Sequence, residues 1–467
     1  MLWRDWDNTA DITLHQFHHA LAALRSKVAG NEAQRWLLHS DDPYHFLLGF
    51  LALLGLKRKV VISASLKPEW LAELGPAFDA VLSDKKVELP QVSPGKPVAC
   101  LDFASSAETA VQHSTELDGE EEIVFFTSGS TGQPKAVKKK LLALTNEVTT
   151  LCNTFAAKLE GCVFAASVSH LHIYGLLFKL LLPLQIKAIS LRQQIEYPEQ
   201  LLTLADKIPS ESGAVFISSP TFLSRLDLDL PSVAMSAVFS SGGPLGFAAA
   251  QASHQYFSQL PIEVYGSTET GGIGYRQQQE ATTPWTAFAG IELTAGADGV
   301  ELRSPNMPGQ PPYVLDDHLE FLADGCFVMK GRKDRVVKIA EKRISLTEIE
   351  KFLEAQPTIL QCVALVLDAR RAVIGCAVVL SDEGIGFVAN SNQATLVRHW
   401  KTAMQNRFEP VTIPRAWRVL TEIPVNSQSK IDSAQLIDAF RAVQSATQDP
   451  APGASHNPSQ GATQDHS

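Results

Sequence analysis

The stretch that decides the interpretation of this 467-residue chain is Phe125-Phe126-Thr127-Ser128-Gly129-Ser130-Thr131-Gly132-Gln133-Pro134-Lys135. An apolar, strand-like run ends in a loop of glycine and hydroxyl residues, and a lysine follows. Glycines let backbone N–H groups turn towards an anion, hydroxyls donate further hydrogen bonds, and lysine adds positive charge. The composition predicts a phosphate-binding loop, whereas a flexible surface loop remains the alternative. Pro134 distinguishes the segment from the GxxxxGK[ST] loop, which continues into a helix.

The sequence around this loop alternates between strand-like and helical patterns. Residues 12–56 have helical spacing of apolar residues, and 59–63 reads as a short buried strand. Further strand-like runs are IVFF at 123–126, VFAASV at 163–168, AVFIS at 214–218, SAVFSS at 236–241 and IEVYG at 262–266. Strands that alternate with helices predict an α/β domain with a largely parallel sheet.

The pattern changes after about residue 290, where short antiparallel strands, a helix from 344 and strands at 362–367 and 373–380 predict a small α+β unit. We therefore expect an N-terminal domain at 1–330 and a C-terminal domain at 331–443. Residues 444–467 contain no Ile, Leu, Val, Phe, Trp or Tyr, so we expect a disordered tail.

Composition excludes several classes of protein. A hydrophobic fraction of 45% supports a large core, and a net charge of -10 argues against binding nucleic acid through phosphate contacts. The six cysteines have no CxxC spacing, which predicts reduced thiols and a cytoplasmic protein. The longest apolar run, 46–56, is shorter than the roughly 20 residues that cross a bilayer. It predicts a buried helix and no membrane span.

The segment TSGSTGQPK at 127–135 resembles the phosphate loop of the adenylate-forming superfamily, the AMP-forming acyl- and aryl-acid ligases. Three further segments resemble that family's motifs in the same order: VYGSTET at 264–270, GRKDR at 331–335 with Arg343 and Glu350, and IP to KID at 423–432. The resemblance implies a large N-terminal domain with mixed and parallel sheets and a small mobile C-terminal α+β domain. The short chain is similar to bacterial ligases of aryl polyene and fatty-acid-synthase-like clusters.

The resemblance implies ATP and Mg²⁺ as the nucleotide and metal. Lys430 would stabilise charge during adenylation, Thr268 would contact the α-phosphate, and Glu269 would help hold Mg²⁺. Phosphate-binding residues would be Thr127, Ser128, Gly129, Ser130, Thr131, Gly132 and Lys135. Adenine and ribose would be bound by Gly242, Gly243, Pro244, Tyr265, Gly266, Ser267, Asp317 and Arg332. Asp316 is the alternative ribose ligand. Without the family, Glu269 reads as an acid at a helix start and Lys430 as a surface lysine.

The resemblance also implies an acyl pocket and a path for a thiol. The segment 169–175 resembles the family's HxxG motif, although a histidine on an apolar stretch is commonly a core residue. The implied pocket residues are His172, Tyr174, Gly175, Ser241 and Gly271. Asp334 would be the hinge, and Lys338, Glu341 and Arg343 would flank the thiol arm. Glu341 replaces the family's glycine, and Ser429 replaces the glycine before the lysine.

These motifs predict an ATP-dependent ligase for an aryl or medium-chain acyl acid, with an acyl-carrier protein or coenzyme A as acceptor. The alternative is a non-catalytic nucleotide-binding regulator that retains the fold. The run 138–140, Lys-Lys-Lys, could steer ATP, but a solvated helix start is the simpler interpretation.

Overall fold

The computed structural model describes residues 3–4, 11–89, 99–101, 116–128, 134–208, 212–297, 299–332, 335–339, 342–367, 373–405, 408, 410, 412–425 and 431–446. These residues form two compact units, which divide between Arg332 and Arg335. The larger first unit is mixed α/β, as the sequence predicts.

The strands of the first unit, in chain order, are β1 Trp3–Arg4, β2 Asp11–Ile12, β3 Arg35–His39, β4 Lys59–Ile62, β5 Ala80–Ser83, β6 Ala99–Leu101, β7 Glu122–Ser128, β8 Pro134–Lys140, β9 Val163–Ala166, β10 Ile189–Gln194, β11 Ala214–Ser218, β12 Ala237–Ser240, β13 Ile262–Ser267, β14 Gly271–Arg276, β15 Thr286–Ala287, β16 Glu292–Gly296, β17 Gly299–Arg303, β18 Tyr313–Val314, β19 Asp317–Phe321 and β20 Phe327–Arg332. Its α-helices are α1 Leu14–Ala29, α2 Pro43–Gly55, α3 Pro68–Leu74, α4 Leu141–Leu159, α5 Ile173–Gly175, α6 Leu182–Gln185, α7 Gln200–Lys207, α8 Pro220–Leu223 and α9 Phe247–Phe257. A 3₁₀ turn at Gly75–Ala77 follows α3, and a π-helical stretch at Leu176–Leu181 joins α5 to α6.

One sheet of the described residues has the strand order β6-β5-β3-β4-β7-β8. Its strands are parallel except β8, which returns antiparallel along β7. Strand β3 lies at the centre of this sheet although the sequence predicted helix throughout 12–56. Its apolar core Trp36-Leu37-Leu38 is fully buried, and such a short run has no period that separates strand from helix.

A second sheet has the order β15-β14-β13-β12-β11-β9-β10-β1-β2. Strands β10, β9, β11, β12 and β13 are parallel, and each of β9, β11 and β12 is buried along its whole length. Strands covered on both faces read as continuous apolar runs, and this explains why the sequence located them well. Their carboxyl ends share one edge, where α/β folds place ligands.

The predicted buried helix at 46–56 is confirmed as α2, which starts at Pro43. Asp42 caps it by accepting hydrogen bonds from the backbone N–H groups of Tyr44 and His45 at 2.8 and 3.4 Å. No helix among the described residues is long and apolar enough to cross a membrane.

The second unit contains β21 Val336–Ile339, β22 Lys342–Ser345, α10 Leu346–Glu354, β23 Ile359–Leu367, β24 Val373–Leu380, α11 Asp382–Asn390, α12 Gln393–Gln405, β25 Ala416–Leu420 and α13 Ser433–Ala446. Strands β21 and β22 form a hairpin, and β23, β24 and β25 form a sheet in that order. The predicted tail overlaps the end of α13 at 444–446, and the rest of it lies outside the described residues.

Candidate nucleotide-binding site

Strands β7 and β8 fix both ends of the predicted phosphate loop. The register pairs Thr127 with Lys135 and Ser128 with Pro134. The Thr127 hydroxyl donates to the carbonyl oxygen of Lys135 at 3.5 Å. Gly129, Ser130, Thr131 and Gly132 lie outside the described residues.

Lys135 and Glu269 are predicted site residues that the fold brings into direct contact from distant parts of the sequence. Lys135 Nζ lies 2.5 Å from Glu269 Oε1, across 134 residues of chain. The hydrogen bond from Lys135 to Glu269 raises the pKa of Lys135. Burial disfavours the charge of Glu269, but hydrogen bonds from Lys135 and from backbone leave the pKa of Glu269 below its usual range. The site therefore presents a charged carboxylate beside the phosphate loop.

Glu269 lies in the turn between β13 and β14. The hydroxyl groups of two residues in this turn stabilise its backbone. The backbone N–H of Ser267 donates to Thr270 Oγ1 at 3.1 Å, and the backbone N–H of Thr270 donates to Ser267 Oγ at 3.2 Å. Gly266 is required where the two strands converge, because a Cβ there would lie 2.3 Å from the carbonyl oxygen of Gly271. Thr268 is half-buried on the same turn.

Tyr265, on β13, and Asp317, on β19, form a second contact between predicted site residues. The Tyr265 hydroxyl donates to Asp317 Oδ2 at 2.6 Å, and the Tyr265 ring packs against Trp285 and Phe327 at centroid distances of 5.7 and 6.1 Å. Asp317 is buried, whereas its neighbour Asp316 is exposed. The sequence left either aspartate open as the ribose ligand, and the structure places Asp317 against the predicted adenine residue.

Asp317 also begins strand β19, which pairs with β20 so that Asp317 lies opposite Arg332. The backbone of the predicted ribose pair is therefore adjacent. The Arg332 side chain is outside the described residues.

The predicted adenine turn at 241–244 follows β12. Ser241 Oγ donates to the carbonyl oxygen of Val264 at 2.8 Å, so this turn is tied to the end of β13 beside Tyr265. Gly242 has φ +94°, a left-handed conformation that favours glycine, and no atom lies within 4 Å of where its Cβ would be. Gly242, Gly243 and Pro244 are exposed beside the predicted adenine residue.

The HxxG segment contains one core histidine and one half-buried histidine. His170 is 1% exposed, and its Nε2 lies 2.9 Å from the carbonyl oxygen of Ser40. Burial lowers the pKa of His170 to about 3, so it is a neutral core residue. His172 is half-buried and precedes α5. Gly175 is required because a Cβ there would lie 2.1 Å from the carbonyl oxygen of Ser169.

Tyr174, a predicted pocket residue, packs its ring against Phe178 at a centroid distance of 4.8 Å. Burial raises the pKa of its hydroxyl well above the usual value. Gly271, another predicted pocket residue, adopts φ +71°. A Cβ at this position would contact Glu147 and Asn306.

The catalytic lysine and the residues predicted for the hinge and the thiol arm are less fully described. Lys430, Asp334 and Glu341 lie outside the described residues. Lys338 and Arg343 face each other in register across the β21–β22 hairpin of the second unit, and only their backbone is described.

Three residues that the sequence did not predict as site residues lie behind the Glu269 turn: Lys139, Glu147 and Asn306. The interpretation of 138–140 as a solvated helix start was wrong for Lys139, because the three lysines end β8 and Lys139 is only 4% exposed, whereas Lys138 and Lys140 are exposed. The alternation of β8 was the missing signal, since it turns Val137 and Lys139 to one face and Lys138 and Lys140 to the other.

Glu269 fits the role of a ligand for Mg²⁺ on a nucleotide. Among the described residues, no group of three or more His, Cys, Asp or Glu side chains could hold a metal by itself. Mg²⁺ is commonly bound by one or two carboxylates together with substrate phosphates and water. A single charged carboxylate beside a phosphate loop matches that donor set.

A profile of the AMP-binding enzyme family matches residues 57–327. The match covers the phosphate loop, the adenine turn and the Glu269 turn. The chain belongs to the AMP-binding enzyme family, which confirms the resemblance found in the sequence.

Curated relatives include acid–thiol ligases. A 4-coumarate–CoA ligase of Rhodobacter capsulatus is 28% identical over 260 residues, which are 54% of this chain and 63% of that ligase. The alignment thus spans less than two thirds of the relative. A fatty acid–[acyl-carrier-protein] ligase of Mycobacterium marinum is 23% identical over 69% of this chain and 68% of its own. The fold is similar to ATP-bound MatB from Rhodopseudomonas palustris, with a TM-score of 0.76 at 15% identity over 95% of this chain and 96% of the other. This similarity confirms the predicted fold class.

Proposed function

We propose that the chain is an AMP-forming ligase that activates a carboxylic acid with ATP and transfers the acyl group to a phosphopantetheine thiol. The observation that carries the proposal is the contact between Lys135 and Glu269 at 2.5 Å, beside the Tyr265–Asp317 pair. The two contacts bring a phosphate-loop cation, a carboxylate, and an aromatic ring next to a buried acid to the carboxyl end of β13. These are the groups that a binding site for a nucleoside triphosphate requires.

In the first half-reaction a carboxylate oxygen of the acid attacks the α-phosphorus of ATP. The bond from that phosphorus to the α–β bridging oxygen breaks, and pyrophosphate leaves with this oxygen. Negative charge grows on the phosphoryl oxygens, and positioned cations stabilise it. Bound Mg²⁺ would neutralise part of the triphosphate charge. We assign Lys135 and Glu269 to the phosphates and their ion, Thr268 to the α-phosphate and Lys430 to the transition state.

In the second half-reaction the thiol sulfur attacks the acyl carbonyl, and AMP leaves. We propose that the C-terminal domain turns about Asp334 between the two steps. The hairpin that carries Lys338 and Arg343, together with Glu341, would then admit the pantetheine arm.

We propose an aryl or medium-chain acyl acid, bound by His172, Tyr174, Gly175, Ser241 and Gly271. The curated name of the Rhodobacter relative, a 4-coumarate–CoA ligase, supports the aryl class. The Mycobacterium relative, named for an acyl-carrier protein, supports that acceptor.

Acid-dependent exchange of labelled pyrophosphate into ATP tests the first half-reaction directly. Benzoates, cinnamates and fatty acids of 6 to about 16 carbons form the panel, and each is compared with a no-acid control. Exchange with at least one acid supports the proposal. ATP binding without exchange across the panel would instead favour the non-catalytic nucleotide-binding regulator.

Comparison of free coenzyme A with a holo-acyl-carrier protein tests the acceptor. A carboxylate at Glu341 would repel coenzyme A, which carries more phosphate than the carrier's single phosphodiester, within the screening length of about 8–10 Å. Glu341→Gly is expected to raise turnover with coenzyme A by up to about tenfold, the equivalent of ~1.4 kcal/mol, and to leave turnover with the carrier nearly unchanged. A wild-type preference for coenzyme A that the substitution does not alter contradicts the assignment.

A further inference from the structure

Strand β8 ends in three consecutive lysines, and the middle one faces the interior behind the Glu269 turn. Lys139 Nζ donates to the carbonyl oxygen of Glu269 at 2.7 Å and to that of Asn306 at 3.3 Å. Lys135 and Lys139 are four residues apart on one strand, so they share a face. One strand face therefore holds Glu269 at both ends: Lys135 at the carboxylate and Lys139 at the backbone carbonyl.

A buried carboxylate holds the other side of the same turn. Glu147, on α4, is 5% exposed, and its Oε1 accepts a hydrogen bond from the backbone N–H of Gly272 at 2.6 Å. Asn306 Nδ2 donates to the carbonyl oxygen of Gly272 at 3.2 Å. Gly271 makes room for this arrangement, because a Cβ there would lie 2.6 Å from Glu147 Oε2.

Two buried charges in this position are costly for folding. Burial lowers the pKa of Lys139 and raises the pKa of Glu147, while the charge of each favours the ionised form of the other. Buried charges persist where several hydrogen bonds compensate them, and apolar residues of similar volume are often equally or more stabilising. Here the compensating partners are all backbone groups of the turn and of Asn306.

We propose that Lys139 and Glu147 are positioning residues for adenylation, which fix the backbone of 269–272 so that the Glu269 carboxylate faces Lys135. The inference rests on the proposed ligase function. A displacement of about 1 Å in a positioned group can reduce a rate by as much as about a hundredfold.

Lys139→Met tests the proposal, with Lys138→Met and Lys140→Met as matched controls. The control lysines flank it on the same strand, and both are exposed. We expect Lys139→Met to slow acid-dependent pyrophosphate exchange by about tenfold to a hundredfold. Attack of thiol on a supplied acyl-adenylate should keep its rate, since that step does not use the triphosphate. The controls should match wild type in both steps.

A second measurement does not depend on turnover. Amide hydrogen exchange of the peptide that covers 267–272 should be faster in Lys139→Met and unchanged in both controls. If wild type lacks pyrophosphate exchange, the ligase proposal fails, while this measurement still decides whether Lys139 fixes the turn.

The double variant Lys139→Met/Glu147→Gln removes both buried charges. It replaces Lys139→Met in these measurements if the single variant unfolds. It should retain the fold but keep slow adenylation, because the Glu269 carbonyl still lacks its donor. Unaltered protection of 267–272, or equal loss of both half-reactions in the folded variants, would overturn the proposal.

Discussion

In both units glutamates accept hydrogen bonds from backbone amides, but the amides have different roles. In the first unit, Glu147 accepts from Gly272 in the turn that presents Glu269. In the second, Glu350 accepts from Ala364 at 2.7 Å and Glu354 from Cys362 at 3.0 Å, both on strand β23. Strand β23 is the edge of its sheet, and an uncovered edge invites pairing with other chains.

The cations that accompany Glu147 and Glu350 also bind different kinds of backbone group. Arg335 contacts Glu350 and also donates to the carbonyl oxygen of Ala364 at 3.0 Å, so the pair occupies both backbone groups of one edge residue. Lys139 instead donates to the carbonyl oxygen of a predicted site residue. In the second unit a partly buried acid–cation network covers a sheet edge, whereas in the first unit we assign a buried one to the alignment of a site.

The largest effect is expected from Lys430, which we predict to belong to the C-terminal domain. Lys430→Ala should slow adenylation by about a thousandfold, because a positioned cation is lost where charge develops. Pyrophosphate exchange measures this step, and thiol attack on a supplied acyl-adenylate is the control. Equal loss in both steps would contradict a role confined to adenylation.

Arg335→Met should break the network of the second unit. Removal of one member of a buried ion pair leaves an uncompensated charge, and because this pair is only partly buried, with Arg335 29% exposed, we expect a smaller loss of about 2–3 kcal/mol. Amide exchange across β23 and the thermal transition of the second unit measure it. Arg441→Met, which removes an exposed arginine in the same unit, is the control. Equal effects of the two variants would assign no special role to the network.

Glu269→Gln tests the chemical end of the first-unit network. The amide keeps the size and hydrogen bonding of the side chain but removes the charge offered to Mg²⁺. We expect adenylation to slow by about tenfold to thirtyfold and to need more Mg²⁺. ATP binding measured by calorimetry should be largely retained through Tyr265. An unchanged rate across a Mg²⁺ titration would return Glu269 to the role of a turn acid.

The sequence predicted the parts of the first unit whose signals are local. Buried parallel strands such as β11 were located because continuous apolar runs mark them, and the loop at 127–135 was found because its composition is unusual. Strand β3 was missed because its apolar core is too short to show a period. The spacing of the motifs left Asp316 as the alternative to Asp317, since the burial of Asp317 and its contact with Tyr265 are tertiary properties.

The network behind the turn was missed for a different reason. Glu147 and Gly272 are 125 residues apart, and their contact depends on how α4 packs against β14. Three lysines in a row read as a solvated surface unless the strand is known to continue through them. The polar partner of a buried lysine is a tertiary property.

The smallest effect is expected on the pH dependence of stability, and Glu147→Gln measures it. The groups that face Glu147 are the backbone N–H of Gly272 and the charge of Lys139. Burial raises the pKa of Glu147 above its unfolded value of about 4.3, so the folded state binds the proton more tightly than the unfolded state. The stability that this group contributes is therefore complete below that unfolded value and is lost as pH rises through the folded one. As pH rises above that unfolded value, wild type should show a falling first-unit transition temperature, and Glu147→Gln should flatten the fall by about 2–4 °C for each ~1 kcal/mol removed. The control is Glu120→Gln, which removes an exposed acid paired with Lys140 at the end of β8 and should keep the wild-type slope. Equal slopes in wild type and Glu147→Gln would show that ionisation of Glu147 does not lower the stability of the folded state. The difference between the networks of the two units would then depend on Lys139 alone.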